Sequence, residues 1–235
     1  MTPTKTVDRE TWLEARKALL SEEKAFTAQR DALSAKRREM PWVRIEKDYR
    51  FQTADGEASL ADLFGGRDQL IVYHFMLGPD WKEGCPACSL MADNYARIGV
   101  HLARMDIAFV TVSNGPMASI NAYKSRMGWD FPWVSSLSSD FNRDFGVTFS
   151  KDEIDSGSVH YNYADTAFPM TEAPGLSVFA CGDDGAVYHT YSTYARGLDM
   201  MLGVYHYIDL TPKGRFGENE NGIMYWVERR DQYKD

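Results

Sequence analysis

The sequence predicts an α/β fold: one mixed sheet flanked by helices, with an N-terminal helical extension and an inserted loop. Three observations carry that expectation. The runs QLIVYHFML at 69–77 and DIAFVTVS at 106–113 are continuously apolar, as in strands buried on both faces. A helical segment lies between them and another follows, which implies a parallel βαβ unit with a right-handed crossover. GLSVFA at 175–180 and AVYHTY at 186–191 flank the turn CGDDG and read as an antiparallel hairpin.

In chain order, Asp8 is a candidate N-cap, and Trp12, Leu19, Phe26, Leu33 and Met40 recur every seven residues. The spacing predicts one helix over about 9–37, ending before Pro41. Its narrow apolar stripe suits either its own core or a second copy of the chain in a homodimer. Residues 42–53 read as extended chain, and Asp55-Gly56 as a turn. Ser59 with Asp62 forms a reciprocal cap for a short helix that turns Leu60, Leu63 and Phe64 inward and stops at Gly65-Gly66. After the loop GPDWKEG, the segment CPACSLMADNYARIGVHL reads as a helix with Leu90, Met91, Tyr95 and Ile98 as its apolar positions. Pro116 suits the first position of the next helix, which carries Met117, Ile120 and Met127 and stops near Gly128. Residues 129–173 are broken by Pro132, hold a short helix in SSDFNRDFG, and otherwise read as an insertion. RGLDMMLGVYHYID predicts a final helix. The tail from Pro212 is polar, with Ile223, Met224, Tyr225, Trp226 and Val227 as an anchor. Residues 1–41 are thus expected to form a helical extension, and 42–235 the α/β domain.

The charge balance excludes several function classes. Residues 1–50 carry 12 basic and 9 acidic side chains and sum to +3, while the remainder carries 14 and 25 and sums to -11. An acidic body repels phosphate backbones, so no nucleic-acid partner is expected. No stretch approaches the roughly 20 apolar residues that span a bilayer, and no membrane partner is expected. The opening MTPTKTVDRE lacks an apolar h-region, and three cysteines are too few for a stapled scaffold; a cytoplasmic location is expected.

The functional reading turns on Cys85-Pro86-Ala87-Cys88. Pro86 fits the first helical position, which puts Cys85 at the N-cap and Cys88 one turn inward. The free N–H groups and aligned dipoles of a helix start stabilise a thiolate on Cys85. That thiolate attacks a disulfide, and Cys88 then attacks the mixed disulfide and releases the reduced partner. Such chemistry needs no bound cofactor. It needs a protein or small-molecule disulfide and a recycling reductant. A structural metal site is the weaker reading, because a closed zinc site takes four ligands and there is no second CxxC; no metal is expected. Cys181 follows a predicted strand and is a candidate resolving thiol, against the plainer role of a small buried hydrophobe.

The strand–CPAC–helix order resembles the thioredoxin superfamily. More closely, FMLGPDWKEGCPAC, RMGWDFPWVSSLSSDFNRDFGV, PGLSVF and YHTYSTYARGLDMMLGVYHYIDLTPKGR resemble the bacterial family catalogued as domain of unknown function 899, described as predicted dithiol–disulfide oxidoreductases. The likeness extends over most of residues 10–235 and implies a thioredoxin-like fold. By thioredoxin resemblance, Cys85 is the attacking thiol and Cys88 the resolving thiol. Pro174 resembles the cis-proline that faces the disulfide in that superfamily and would present backbone groups to a peptide-like substrate. Two departures stand out. Trp81 is separated from Cys85 by Lys82, Glu83 and Gly84, whereas thioredoxin places Trp beside its first Cys. Lys82 also occupies the position where peroxiredoxins resemble a Thr.

Further candidates are weaker. Trp81 is placed to shield the pair or meet a substrate, unless it merely packs a loop. Arg126 and Arg196 are candidates to orient an anion or carboxylate, or else are ion-paired surface residues. His189 with His206, among Tyr188, Tyr191, Tyr194, Tyr205 and Tyr207, lines either a pocket or an aromatic core edge. The leading functional expectation is a thiol–disulfide oxidoreductase; the alternatives are a thiol peroxidase and a non-catalytic binding or structural domain.

Overall fold

The computed structural model describes residues 5–215 and 224–234 and divides into units 1–41 and 42–235. Ile223, expected in the tail anchor, lies outside the described residues. In the first unit, helix α1 (Arg9–Arg38) starts where Asp8 accepts a hydrogen bond from the Thr11 N–H at 2.8 Å. It ends on Lys36, Arg37 and Arg38, cations that suit the negative end of the helix dipole.

The second unit begins with β1 (Val43–Arg44) and the hairpin β2 (Arg50–Thr53) and β3 (Gly56–Ser59), turned at Asp55-Gly56. Ser59 and Asp62 exchange hydrogen bonds as the sequence predicts, and the expected short helix is a single 3₁₀ turn, Asp62–Phe64, whose N-cap is Ala61. Then follow β4 (Gln69–His74), α2 (Pro86–Tyr95), α3 (Gly99–Arg104), β5 (Ile107–Ser113) and α4 (Met117–Met127). The strand β6 (Trp133–Ser135), the short helices α5 (Phe141–Asp144) and α6 (Lys151–Asp155), and the small hairpin β7 (Val159–Tyr161) and β8 (Ala164–Thr166) follow. β9 (Gly175–Cys181), β10 (Val187–Tyr194), a 3₁₀ stretch (Ala195–Met201) and α7 (Gly203–Asp209) complete the order.

Eight strands form one mixed sheet in the order β1-β10-β9-β4-β5-β6-β2-β3. β4 and β5 are parallel, with Val72 opposite Val110, and α2 makes the crossover; β9 runs antiparallel to β4, with Ser177 opposite Val72. The βαβ unit beside an antiparallel hairpin and a closing helix is the thioredoxin-like arrangement. Alternation along β4 separates two cores. Tyr73 and Phe75 join Leu176 and the inner residues of α2 and α4. Leu70 and Val72 face Val110, Val112, Phe179 and Phe141 on the other side.

Four local expectations need correction. The helix from Cys85 to Leu102 is two helices, broken over 96–98 ahead of Gly99, a residue of low helix propensity. The final helix is interrupted at Leu202 (φ -89°, ψ 79°), where the Asn94 side chain takes the Val204 N–H at 3.0 Å. Trp133–Ser135 is a sheet strand, paired with both β5 and β2, where the sequence offered only an aromatic stretch broken by proline. Pro174 follows a trans peptide bond, since no described bond is cis. The bare X–Pro preference for trans is only about 0.5–1 kcal/mol, and here Ala173 is tied into the structure by its N–H bond to the Val147 carbonyl at 2.8 Å.

A buried polar chain crosses the sheet. His74, 1% exposed, contacts Asn142 Oδ1 through Nδ1 at 3.0 Å and Ser177 Oγ through Nε2 at 2.9 Å. Ser177 continues to Ser192, and Ser192 to His189 Nε2 at 2.7 Å. Burial pushes His74 down to about 4, so the ring is neutral; it donates from Nδ1 to Asn142 and accepts from Ser177 at Nε2. His189 therefore ends a structural chain, edge-on to Phe145, while His206 is exposed on α7 against the Met200 carbonyl. The two histidines do not share a pocket. His74→Ala takes the ring partner from Asn142 Oδ1 and leaves Ser177 with Ser192 alone, beside the Phe141 ring that stacked on His74. It should cost about 3 kcal/mol, read from urea denaturation; a loss within the scatter of surface substitutions would refute this account.

Candidate functional site

The chain leaves β4 at His74 and returns to begin α2 at Pro86, twelve residues later. The return is fixed by the Cys85 N–H, which donates to the Met76 carbonyl at 3.1 Å. Gly84 makes that approach possible, because a Cβ there would fall 2.5 Å from the Phe75 ring and 2.7 Å from the Tyr123 ring. Cys85 is the N-cap and Pro86 the first helical residue, as the motif predicts. Ser89 locks the first turn. Its N–H and hydroxyl both donate to the Cys85 carbonyl, and its hydroxyl contacts the Tyr123 hydroxyl at 2.8 Å.

The two thiols are free and differ in character. Cys85 is half-buried, and its pKa is lowered to about 7. The largest cause is hydrogen bonding from the Cys88 thiol; the Cys88 and Ala87 N–H groups and the Arg229 cation add to it, against the opposing effect of burial. Cys88 is 1% exposed, and burial, followed by the neighbouring Cys85 sulfur, pushes its thiol well up. One thiol is poised to ionise near neutrality, and the other is held as a proton donor behind it.

Arg229 is a residue the sequence reading missed. It lies 145 positions from Gly84, yet donates from Nε and Nη2 to the Gly84 carbonyl at 2.9 and 2.6 Å. Its side chain is 13% exposed and pairs with Glu83 at 3.1 Å. Arg126 pairs with Glu83 and Asp231, both at 2.6 Å, so its charge is spent in holding the tail to the turn. Arg196 pairs with Asp199 at 3.0 Å, and Asp199 also holds Arg215.

A cavity of about 240 Å³ opens onto both cysteines. Its walls include Met76, Met91, Pro174, Leu198, Leu202 and Met224, with Ala195, Arg196 and Asp199 also lining it. Pro174 lines this cavity with both cysteines, and the bond before it is trans. Trp81 is not a cavity residue; its indole lies over Gly78, where a Cβ would come within 2.9 Å of Nε1. Cys181 is exposed at the far end of β9 from Gly175. Six residues of strand separate them by about 20 Å, which removes Cys181 as a resolving thiol and as a buried hydrophobe alike. Among the described residues, no group of three or more His, Cys, Asp or Glu side chains is placed to hold a metal ion, and no helix is long and apolar enough to cross a membrane.

Tyr161 and Glu172 were also not legible. The Tyr161 hydroxyl donates to the Pro174 carbonyl at 2.8 Å and accepts from the Ala195 N–H at 3.0 Å, joining two walls of the cavity. Ala195 has φ 47°, a left-handed conformation costly for a residue with a Cβ. Glu172 is 2% exposed and bonded to Thr148 and Asn114; burial raises it to about 7 despite those bonds.

A family model described as "Bacterial protein of unknown function (DUF899)" matches residues 1–233. Among solved structures, peroxidoxin BcpB from Mycobacterium tuberculosis is 13% identical, with 72% of this chain and 97% of that chain covered at a TM-score of 0.48. A mutant of Xanthomonas campestris peroxiredoxin Q is 12% identical, with 72% and 98% covered at 0.48. No curated protein matches the chain.

Two measurements follow from this geometry. Alkylation of Cys85 by iodoacetamide should rise with a midpoint near pH 7, with Cys88 unlabelled, and Arg229→Gln should move the midpoint upward. An unmoved midpoint would show that Arg229 does not act on the sulfur. Glu172 binds its proton more tightly folded than unfolded, so its contribution to stability is lost as pH rises from 4.5 through 7. His74 has the opposite sign and loses stability as pH falls from 6.5 through 4. Glu172→Gln should therefore gain about 3 kcal/mol on wild type between pH 4.5 and 8. Parallel stability–pH curves from denaturant titrations would contradict the burial of an ionising Glu172.

Proposed function

We propose, from the premise that this chain belongs to the bacterial protein family of unknown function DUF899, that it is a dithiol–disulfide oxidoreductase working through Cys85 and Cys88. One observation carries the reading: at the start of α2 the outer sulfur has its pKa lowered to about 7 while the inner sulfur is raised and shielded. That asymmetry sets the order of events. The Cys85 thiolate attacks one sulfur of a substrate disulfide, an S–S bond breaks, and one substrate thiolate leaves and takes a proton from solvent. Cys88 then gives up its proton and attacks the Cys85 sulfur. The internal disulfide forms, and the second substrate thiol departs. The protein has lost two electrons and the substrate has gained them. An external thiol returns the pair to its reduced state, and a reducing cytoplasm is the setting we assign.

Arg229 beside the nucleophile favours peroxide reduction as a second reading. Cys85 would take the terminal peroxide oxygen as a sulfenic acid, releasing an alcohol or water, and Cys88 would expel that oxygen as water.

Turnover of a small aromatic disulfide with dithiothreitol as reductant tests the first reading. Cys85→Ser should lose catalysis by at least about 100-fold. With dithiothreitol removed after reduction, Cys88→Ser should stop after one event with a mixed disulfide on Cys85, visible by mass spectrometry. Equal turnover by wild type and both variants defeats the proposal. Fast sulfenic acid formation on Cys85 without disulfide turnover would leave the peroxidase reading in its place.

A further inference from the structure

Resting on that reading, we infer that the site takes low-molecular-weight disulfides bearing a compact apolar group, and does not bind its substrate as an extended polypeptide. A strand-like peptide would need free main-chain groups beside the pair to hydrogen-bond with. Several groups on the loop before β9 and at the end of β10 are already engaged. Phe149 N–H donates to the Thr171 carbonyl and Ala173 N–H to the Val147 carbonyl, both at 2.8 Å. Thr148 and Glu172 form an antiparallel bridge between these bonds. Pro174 has no N–H, and its carbonyl accepts the Tyr161 hydroxyl. The next exposed candidate, the Ala195 N–H, donates to the Tyr161 hydroxyl oxygen. The chain's own insertion therefore occupies the edge that a peptide would use.

What remains open is the cavity. Its 240 Å³ equals the liquid volume of about eight waters, enough for one ring or a short alkyl chain. Three of its walls are methionines, Met76, Met91 and Met224, whose flexible thioethers adapt to apolar and aromatic groups. Asp199 is the carboxylate on its lining, and it is satisfied by Arg196 and Arg215 at 3.0 and 2.6 Å. Recognition must therefore come from apolar contact with the group carried on the disulfide sulfur, seated as Cys85 attacks. The covalent steps are those of the proposed exchange, with each substrate half leaving as a thiol.

The test compares second-order rates of reduced full-length protein with 2,2′-dithiodipyridine, a neutral aromatic disulfide, with glutathione disulfide, and with insulin. Each rate is divided by that of free cysteine at the same pH, which removes intrinsic reactivity. The neutral aromatic probe should exceed both others by at least about tenfold after this correction. Met224→Trp, which narrows the cavity from its tail side, should slow the aromatic probe at least about tenfold more than it slows iodoacetamide. Leu198→Phe provides a second narrowing from another wall and should show the same selectivity. Corrected rates that are equal, insulin reacting fastest, or variants that slow both reagents alike overturn this inference while leaving the exchange chemistry standing. No reaction of any disulfide above the free-thiol rate, with Cys85 still open to iodoacetamide, overturns the exchange reading itself.

Discussion

Everything at this site depends on holding one sulfur at the mouth of a helix where burial opposes its ionisation and local dipoles favour it. The Cys85 N–H bond to the Met76 carbonyl fixes where α2 begins relative to the end of β4. With that contact in place, the Ala87 and Cys88 N–H groups face the Cys85 sulfur and Cys88 falls one turn behind. Without it, the same four residues would be a solvated turn with two ordinary thiols. Gly84 is part of the same constraint, since any side chain there would drive the turn away from Phe75 and Tyr123.

The charges around the turn are balanced in number and unequal in effect. Glu83 and Asp231 oppose Arg126 and Arg229. Arg229 is the best shielded, at 13% exposure against 35–37% for Glu83, Arg126 and Asp231. Coulomb interactions weaken as solvent enters, so the buried cation acts on Cys85 more strongly than the exposed pairs do. The surface ion pairs contribute little stability individually. Their role is geometric: Arg126 draws the tail segment around Asp231 to the turn and so brings Arg229 to the Gly84 carbonyl.

The parts legible in the sequence are those whose cause is local. The apolar runs of β4 and β5, the Asp8 cap, the Ser59–Asp62 exchange and the proline-led start of α2 all follow from residues within a few positions of one another. The motif also located both cysteines correctly. The rest depends on distant partners. Three residues of β6 become a strand because β5 and β2 lie on either side of them. Ala195 adopts a left-handed conformation that no alanine signals, and Tyr161 supports it from across the fold. The trans bond before Pro174 belongs to the same class, for the resemblance pointed to a cis-proline while the pairing of residues 171–173 with 147–149 belongs to this chain's insertion.

The 129–173 segment and the tail read as the least structured parts of the sequence, yet Tyr161 braces two walls of the cavity and Met224 lines it. The physics permits this cheaply. Closing a loop costs entropy only as the logarithm of its length, so joining residues 145 apart costs about 2 kcal/mol more than joining residues about 20 apart. Two guanidinium bonds to one carbonyl, with an ion pair and a few buried tail side chains, offset a penalty of that size. A fold can therefore keep its central βαβ unit and change what its site accepts by recruiting remote segments. In this chain the recruited segments do two different things: Arg229 tunes the sulfur, and the Val147–Tyr161 region closes the backbone edge beside it. The first acts on reactivity and the second on which molecules can reach it, so the two properties can vary independently on one scaffold.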